Sequence, residues 1–173
     1  MIRQHAIRIG VVCAAMLLLP SFGDAELLES ETSPAIAGHA WQPGDAGCFS
    51  STWSSVHNNC ATTRKFLIPV HVTYGGNMLG TVSLSAAAEN DGTKTVGPSC
   101  RGVMNDFGNG LMAQTPVATV HRGPSYTPIG ALPAGNTGFF SGFNGGGEAH
   151  LDCDLTSSAA SGLGLTALSW QMQ

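Results

Sequence analysis

The sequence predicts an all-β fold: a single antiparallel β-sandwich, or an open barrel, closed by two disulfides. Three observations predict it. Apolar and polar residues alternate over several short windows, turn-forming residues recur about every ten positions, and four cysteines remain once a removable leader is set aside.

The leader comes first because it changes what counts as fold. Residues 1–8 carry Arg3 and Arg8 and no acid, residues 9–19 are almost wholly apolar, and Pro20 and Ser21 end the run. Gly23 and Ala25 then supply small residues ahead of a cut after Ala25. A basic start, a short apolar core and a small-residue exit describe a secretory signal peptide over residues 1–25. The apolar run is shorter than the ~20 residues of a bilayer-crossing helix, so no membrane span is expected after cleavage. The expected location is secreted or periplasmic.

Residues 26–46 mix Glu26, Glu29 and Glu31 with Pro34 and Pro43 and show no periodicity. They read as a flexible surface leader, with Trp41 docking back on the domain. The β-sandwich domain is assigned to residues 47–173. Cys13 departs with the signal peptide and leaves Cys48, Cys60, Cys100 and Cys153. An even number in a small exported chain reads as a disulfide framework, for which three pairings exist. No Cys-x-x-Cys pair supports redox or zinc chemistry.

The first strand runs from Phe66 to Tyr74, with Phe66, Ile68, Val70, Val72 and Tyr74 on one face. Pro69 cannot donate to a ladder, so a sheet edge or bulge is expected beside it. After the turn at Gly75-Gly76-Asn77, residues 80–88 alternate through Val82, Leu84 and Ala86. Asn90-Asp91-Gly92-Thr93 is the best hairpin signal and predicts residues 94–105 as the return strand. A turn over residues 105–110 leads into a strand from Leu111, and residues 148–155 and 163–172 supply two last strands. No window beyond the leader shows a convincing amphipathic helix. Cys100 shares a face with Gly102 and Met104, and Cys153 shares one with Ala149, Leu151 and Leu155. Both faces read as inward, so Cys100 can bridge Cys153, leaving Cys48 with Cys60.

Charge narrows the function classes. The chain has 7 Lys and Arg against 11 Asp and Glu, a formal net charge of −4. No basic stripe exists to neutralise phosphates, which disfavours nucleic acid as a partner. The most suggestive run is Glu148 to Leu155, where Glu148, His150, Asp152 and Asp154 share the face opposite the core. Alternate side chains on a strand lie ~7 Å apart, so Asp152 and Asp154 hold a cation only with help from a neighbouring loop. The competing reading is a solvated face whose charges discourage edge-to-edge pairing. A second candidate is the glycine-rich loop carrying Phe139, Phe140 and Phe143, an apolar platform if exposed and core plugs if buried. His57, His71, His121 and His150 are scattered, and neither Gly-x-Ser-x-Gly nor His-Glu-x-x-His occurs. They read as ordinary histidines, and Arg64-Lys65 as a solvated strand start.

Cys48-Phe49, then Trp53-Ser54-Ser55-Val56-His57-Asn58-Asn59-Cys60, then Phe66-Leu67-Ile68-Pro69-Val70, resembles a layout of small exported bacterial proteins of unknown function. The resemblance covers about the first half of the domain. It implies a two-disulfide β domain and no activity. Residue by residue, the stretch is a disulfide-closed lead-in anchored by Phe49, Trp53 and Val56, with Asn58-Asn59 as turn formers.

Taken together, the sequence predicts an exported non-catalytic surface, matrix or binding protein with no cofactor, its partner an extracellular polymer or surface protein. Two alternatives stand beside it. One is an extracellular hydrolase with its site near His150, Asp152 and Asp154. The other is a Ca²⁺-stabilised carbohydrate-binding module using the Phe139–Phe143 loop.

Overall fold

Period-two alternation becomes two antiparallel sheets in the computed structural model, which describes residues 29–70, 81–106, 111–133 and 147–172. The expected signal peptide, the expected course of the first strand past Val70 and the segment carrying Phe139, Phe140 and Phe143 lie outside these residues. Sheet A contains β1 (Glu29–Pro34), β3 (Phe49–Ser51), β4 (Val56–Asn58), β6 (Thr81–Ala88), β10 (Thr127–Pro133) and β12 (Leu165–Met172). Its order is β10-β6-β12-β4-β3, with β1 also paired to β12. Sheet B contains β2 (His39–Ala40), β5 (Arg64–Val70), β7 (Ser99–Asp106), β8 (Leu111–Gln114), β9 (Ala118–Thr119) and β11 (Gly147–Leu155). Its order is β2-β5-β11-β7-β8, with β9 continuing the far side of β7.

The two sheets share one core. Sheet B sends in Phe66, Ile68 and Val70 from β5, Met104 from β7, and Ala149, Leu151 and Leu155 from β11. Sheet A answers with Val82, Leu84 and Ala86 from β6, Leu132 from β10, and Leu165, Leu168 and Trp170 from β12. Gly102 sets how closely they meet. A Cβ there would run into Leu84 Cδ1, with Leu132 Cδ1 and Thr115 Cγ2 at 3.3 Å. Opposite Gly102 the return strand breaks between β8 and β9, and Thr115 repairs the ladder. Its hydroxyl accepts the Gly102 N–H at 2.9 Å and its own N–H donates to the Gly102 carbonyl at 3.0 Å.

Both disulfides are the expected ones, Cys100–Cys153 by strand parity and Cys48–Cys60 as the remaining pair. Cys100 and Cys153 sit directly opposite each other on β7 and β11, fully buried, with Cα atoms 4.1 Å apart. Cys48 joins Cys60 across 12 residues, a closure contributing roughly 3 kcal/mol in the chain-entropy picture. Pro69 is also where it was expected. It pairs with His150 on one side, while on the other β2 reaches only as far as Leu67.

Two expectations are corrected. The stretch 26–46, read as a flexible leader, is built into the fold from Glu29 onward. β1 pairs with β12 over its whole length, β2 extends sheet B, and Ser33 and Ala35 are buried. Backbone pairing holds this segment, so its side chains carry no apolar alternation. The hairpin expected at Asn90–Thr93 is also absent, although the turn itself forms. Asp91 Oδ1 accepts the Thr93 N–H at 2.8 Å and the Thr93 hydroxyl at 2.7 Å. Those two bonds, the amide first, hold the Asp91 carboxyl below its ordinary range. But β6 already has β10 and β12 on its flanks, so β7 finds no free edge and crosses to sheet B. The crossing passes tightly at Gly97, where a Cβ would strike the Val120 carbonyl.

Asn58 ends β4 and forms the expected turn, its side chain bonding the backbone two residues on, and it is at the same time a buried strut. Its Nδ2 donates to the carbonyls of Thr62 and Leu155 at 2.8 Å each, and its Oδ1 accepts the Cys60 N–H at 3.0 Å. Asn58→Ala strands all three groups. The expected loss is about 2–4 kcal/mol, read as a lower urea midpoint at unchanged slope in the oxidised protein.

Candidate functional site

Alternation on β11 that buries Ala149, Leu151 and Cys153 turns Glu148, His150, Asp152 and Asp154 to the outer face of sheet B. β11 is an interior strand. Asp152 pairs in register with Leu67 on β5 and with Arg101 on β7, and His150 with Pro69 and Val103. The expected solvated face at a sheet edge is therefore corrected at its centre. Asp152 and His150 are 6 % and 7 % exposed, and Leu67 and Val103 beside them are equally buried.

Asp152 is the hub. Its Oδ2 accepts from Lys65 Nζ at 3.0 Å and from Arg101 Nε at 3.1 Å, and a terminal guanidinium nitrogen of Arg101 lies in ion-pair contact with it at 3.1 Å. Lys65 also reaches Asp154 Oδ1 at 3.6 Å, so it is not the solvated strand start it was read as. Arg101 donates onward to Gln114 Oε1 at 3.0 Å, and Asn105 donates to Glu148 Oε1 at 2.9 Å. Asp152 Oδ1 is buried without a partner among the described residues. Burial holds the His150 imidazole below its ordinary pKa; the Glu148 and Asp152 carboxylates oppose that shift, and His39 and Arg101 add to it.

Over this floor lies a recess of about 270 Å³ lined by Trp41, Lys65, Arg101, Met112, Gln114 and Asp152, among others. Trp41 extends the β2–β5 pairing by one step, its N–H donating to the Lys65 carbonyl at 3.1 Å. Its side chain stays 54 % exposed, and Met112 is 65 % exposed. The docking-back expected of Trp41 thus brings it to the rim of the recess. Of the candidates read from sequence, His150 and Asp152 meet here, with Asp154 at the margin. Phe139, Phe140 and Phe143 lie outside the described residues. Lys65, Arg101, Asn105, Met112 and Gln114 were not legible as site residues, because only the pairing of distant strands brings them together.

A second polar grouping sits at one end of sheet A. Ser55 Oγ lies 2.8 Å from His57 Nε2, and Glu89 Oε2 lies 3.2 Å from the same nitrogen and 3.3 Å from Ser55 Oγ. Residue types alone suggest a hydrolytic triad, but the arrangement is wrong for one. In a triad the hydroxyl and the carboxylate hold opposite nitrogens of the ring, so that one positions it while the other yields its proton. Here both share Nε2, and Ser55 is 2 % exposed. The grouping ties the β3–β4 hairpin over Gly164, whose missing Cβ leaves room for the His57 ring and Glu89. Trp53, expected to anchor that lead-in, is fully exposed at the hairpin tip instead, since the turn that holds Thr52 to Ser55 turns it outward. Among the described residues no three His, Cys, Asp or Glu side chains are grouped to hold a metal ion, and no helix is long and apolar enough to cross a membrane.

A comparison with known families finds no family model that matches the chain, and a search of curated proteins finds no match either.

Asp152→Ala is expected to cost about 2–3 kcal/mol, below the ~3–5 of a fully buried pair, because Lys65 and Arg101 are each about a third exposed and turn to water. Asp154→Ala, at an exposed carboxylate, is expected within about 0.5 kcal/mol of the parent; chemical denaturation of the two variants checks the contrast. His150 gives a pH signature. Its folded pKa lies below the unfolded value near 6.5, so the unfolded chain binds the extra proton. The stabilisation is complete above that value and is lost as pH falls from it towards the folded pKa. The slope is at most about 1.4 kcal/mol per pH unit, and His150→Gln is expected to flatten it in denaturation midpoints measured across that window.

Proposed function

We propose that this is an exported, non-catalytic binding protein of the cell surface or extracellular matrix, with the outer face of sheet B as its binding surface. Export is supported by the leader pattern of residues 1–25 and by two disulfides, which suit an oxidising compartment. The observation that carries the reading is the juxtaposition of a half-exposed Trp41 with a buried, charge-balanced floor in which Asp152 has an oxygen to spare. Aromatic side chains beside a few fixed polar groups are the composition of recognition sites. A non-catalytic role is favoured because the Ser–His–Glu grouping is arranged as a strut, away from the recess.

Hydroxyl-radical footprinting of the processed protein, with and without the envelope and extracellular-polymer fraction of the producing cells, tests this. Trp41 and Met112 are expected to be protected while Trp53 oxidises as before. Equal oxidation at Trp41 in both samples overturns the binding surface. Release of soluble fragments from the polymer by the protein overturns the non-catalytic role.

A further inference from the structure

Resting on that binding surface, we infer that its ligand is a neutral sugar chain. One pyranose ring lies with its C–H face on the Trp41 indole and its hydroxyl edge over Asp152, Arg101 and Gln114.

Charge balance argues first. The two cations of the floor, Lys65 and Arg101, are matched by Asp152 and Asp154 at 3.0–3.6 Å. No surplus positive charge is left to hold a phosphate or a uronate. The one further carboxylate of this face among the described residues, Glu148, accepts from Asn105 and is not part of the recess lining, and an ionic ligand would break pairs already made. Hydrogen-bonding capacity argues second. Both cations sit on Asp152 Oδ2, so Oδ1 is served by neither and is buried without a donor. Such an acceptor is costly until it is filled. A hydroxyl fills it without adding charge. Gln114 spends its Oε1 on Arg101, and among the described residues its amide N–H groups meet no acceptor, so they serve a second hydroxyl. The apolar rim argues third. Trp41 and Met112 are both more than half exposed at the same recess, and an indole face takes up the C–H side of a ring whose other edge is polar. A wholly apolar ligand would strip water from the ionic floor, and a small hydrophilic one would leave the indole wet. A sugar ring has both sides in one rigid unit.

The test is a titration of the ¹⁵N-labelled processed protein, followed at its three tryptophan indole signals. The probes are hexasaccharides of glucose, mannose, xylose and N-acetylglucosamine, with galacturonate and sulfated galactose hexamers as the charged counterparts. At least one neutral hexamer is expected to shift the Trp41 indole, leave Trp53 and Trp170 in place, and bind with a Kd on the order of 10–1,000 µM, little changed by salt. Trp41→Ala is expected to weaken that binding at least ~10-fold, about 1.4 kcal/mol, and Gln114→Ala several-fold. Both positions are exposed, so folding is checked simply by an unchanged urea midpoint. Binding confined to a charged hexamer, or no Trp41 shift with any neutral one, overturns the sugar assignment. If the polymer fraction still protects Trp41 and Met112 in the footprint, the binding surface itself stands and only the ligand class falls.

Discussion

Cys153 is bonded to the cysteine directly across from it on β7, and that link fixes the register of the strand on which both the core and the recess depend. β11 has two faces because a strand has a period of two. One carries Ala149, Leu151, Cys153 and Leu155 into the core; the other carries His150 and Asp152 to the floor of the recess. A slip of one residue would exchange the faces, placing Asp152 in the core and Leu151 outside. The sulfur bridge forbids that slip and, in the same stroke, sets Asp152 opposite Arg101. The ion pairs at the recess are thus an outcome of how the core is locked, one residue away along the chain.

How much of this was legible follows from which information is local. β5, β7 and β11 were readable because each alternates within a single window, and Pro69 announced its own edge. The cysteine pairing was readable because parity is a local property too. β1 was not, since Glu-Ser-Glu-Thr-Ser-Pro pairs through its backbone and commits little apolar surface. The Asp91-Gly92 turn shows the converse limit. Its chemistry specified a reversal of direction correctly, yet which strand follows it was decided by β10 and β12 having occupied both flanks of β6.

The recess was legible in its β11 component and in the docking of Trp41, but not in its ionic floor. Lys65, Arg101 and Asp152 are far apart in sequence and meet through a three-strand register that no window contains. Charged residues at alternate positions look the same in sequence whether they face water or one another. The Ser55–His57–Glu89 grouping makes a related point: residue types associated with hydrolysis occur here in an order of contacts that secures a hairpin. Geometry at a single nitrogen separates the two uses.

The topology has a consequence for when this chain acquires its structure. β12 lies in the middle of sheet A and β11 in the middle of sheet B, yet they are the last two strands in chain order. A nascent polypeptide lacking them has β6, β4 and β1 without their common neighbour, and β5 and β7 with an empty lane between them. Neither half can close early, and the loop-closure entropy of these long-range pairings falls due only once β11 and β12 have been made. Under the export proposed above, in which the chain is threaded in extended form, late completion of both sheets would keep it pliable until the far side is reached.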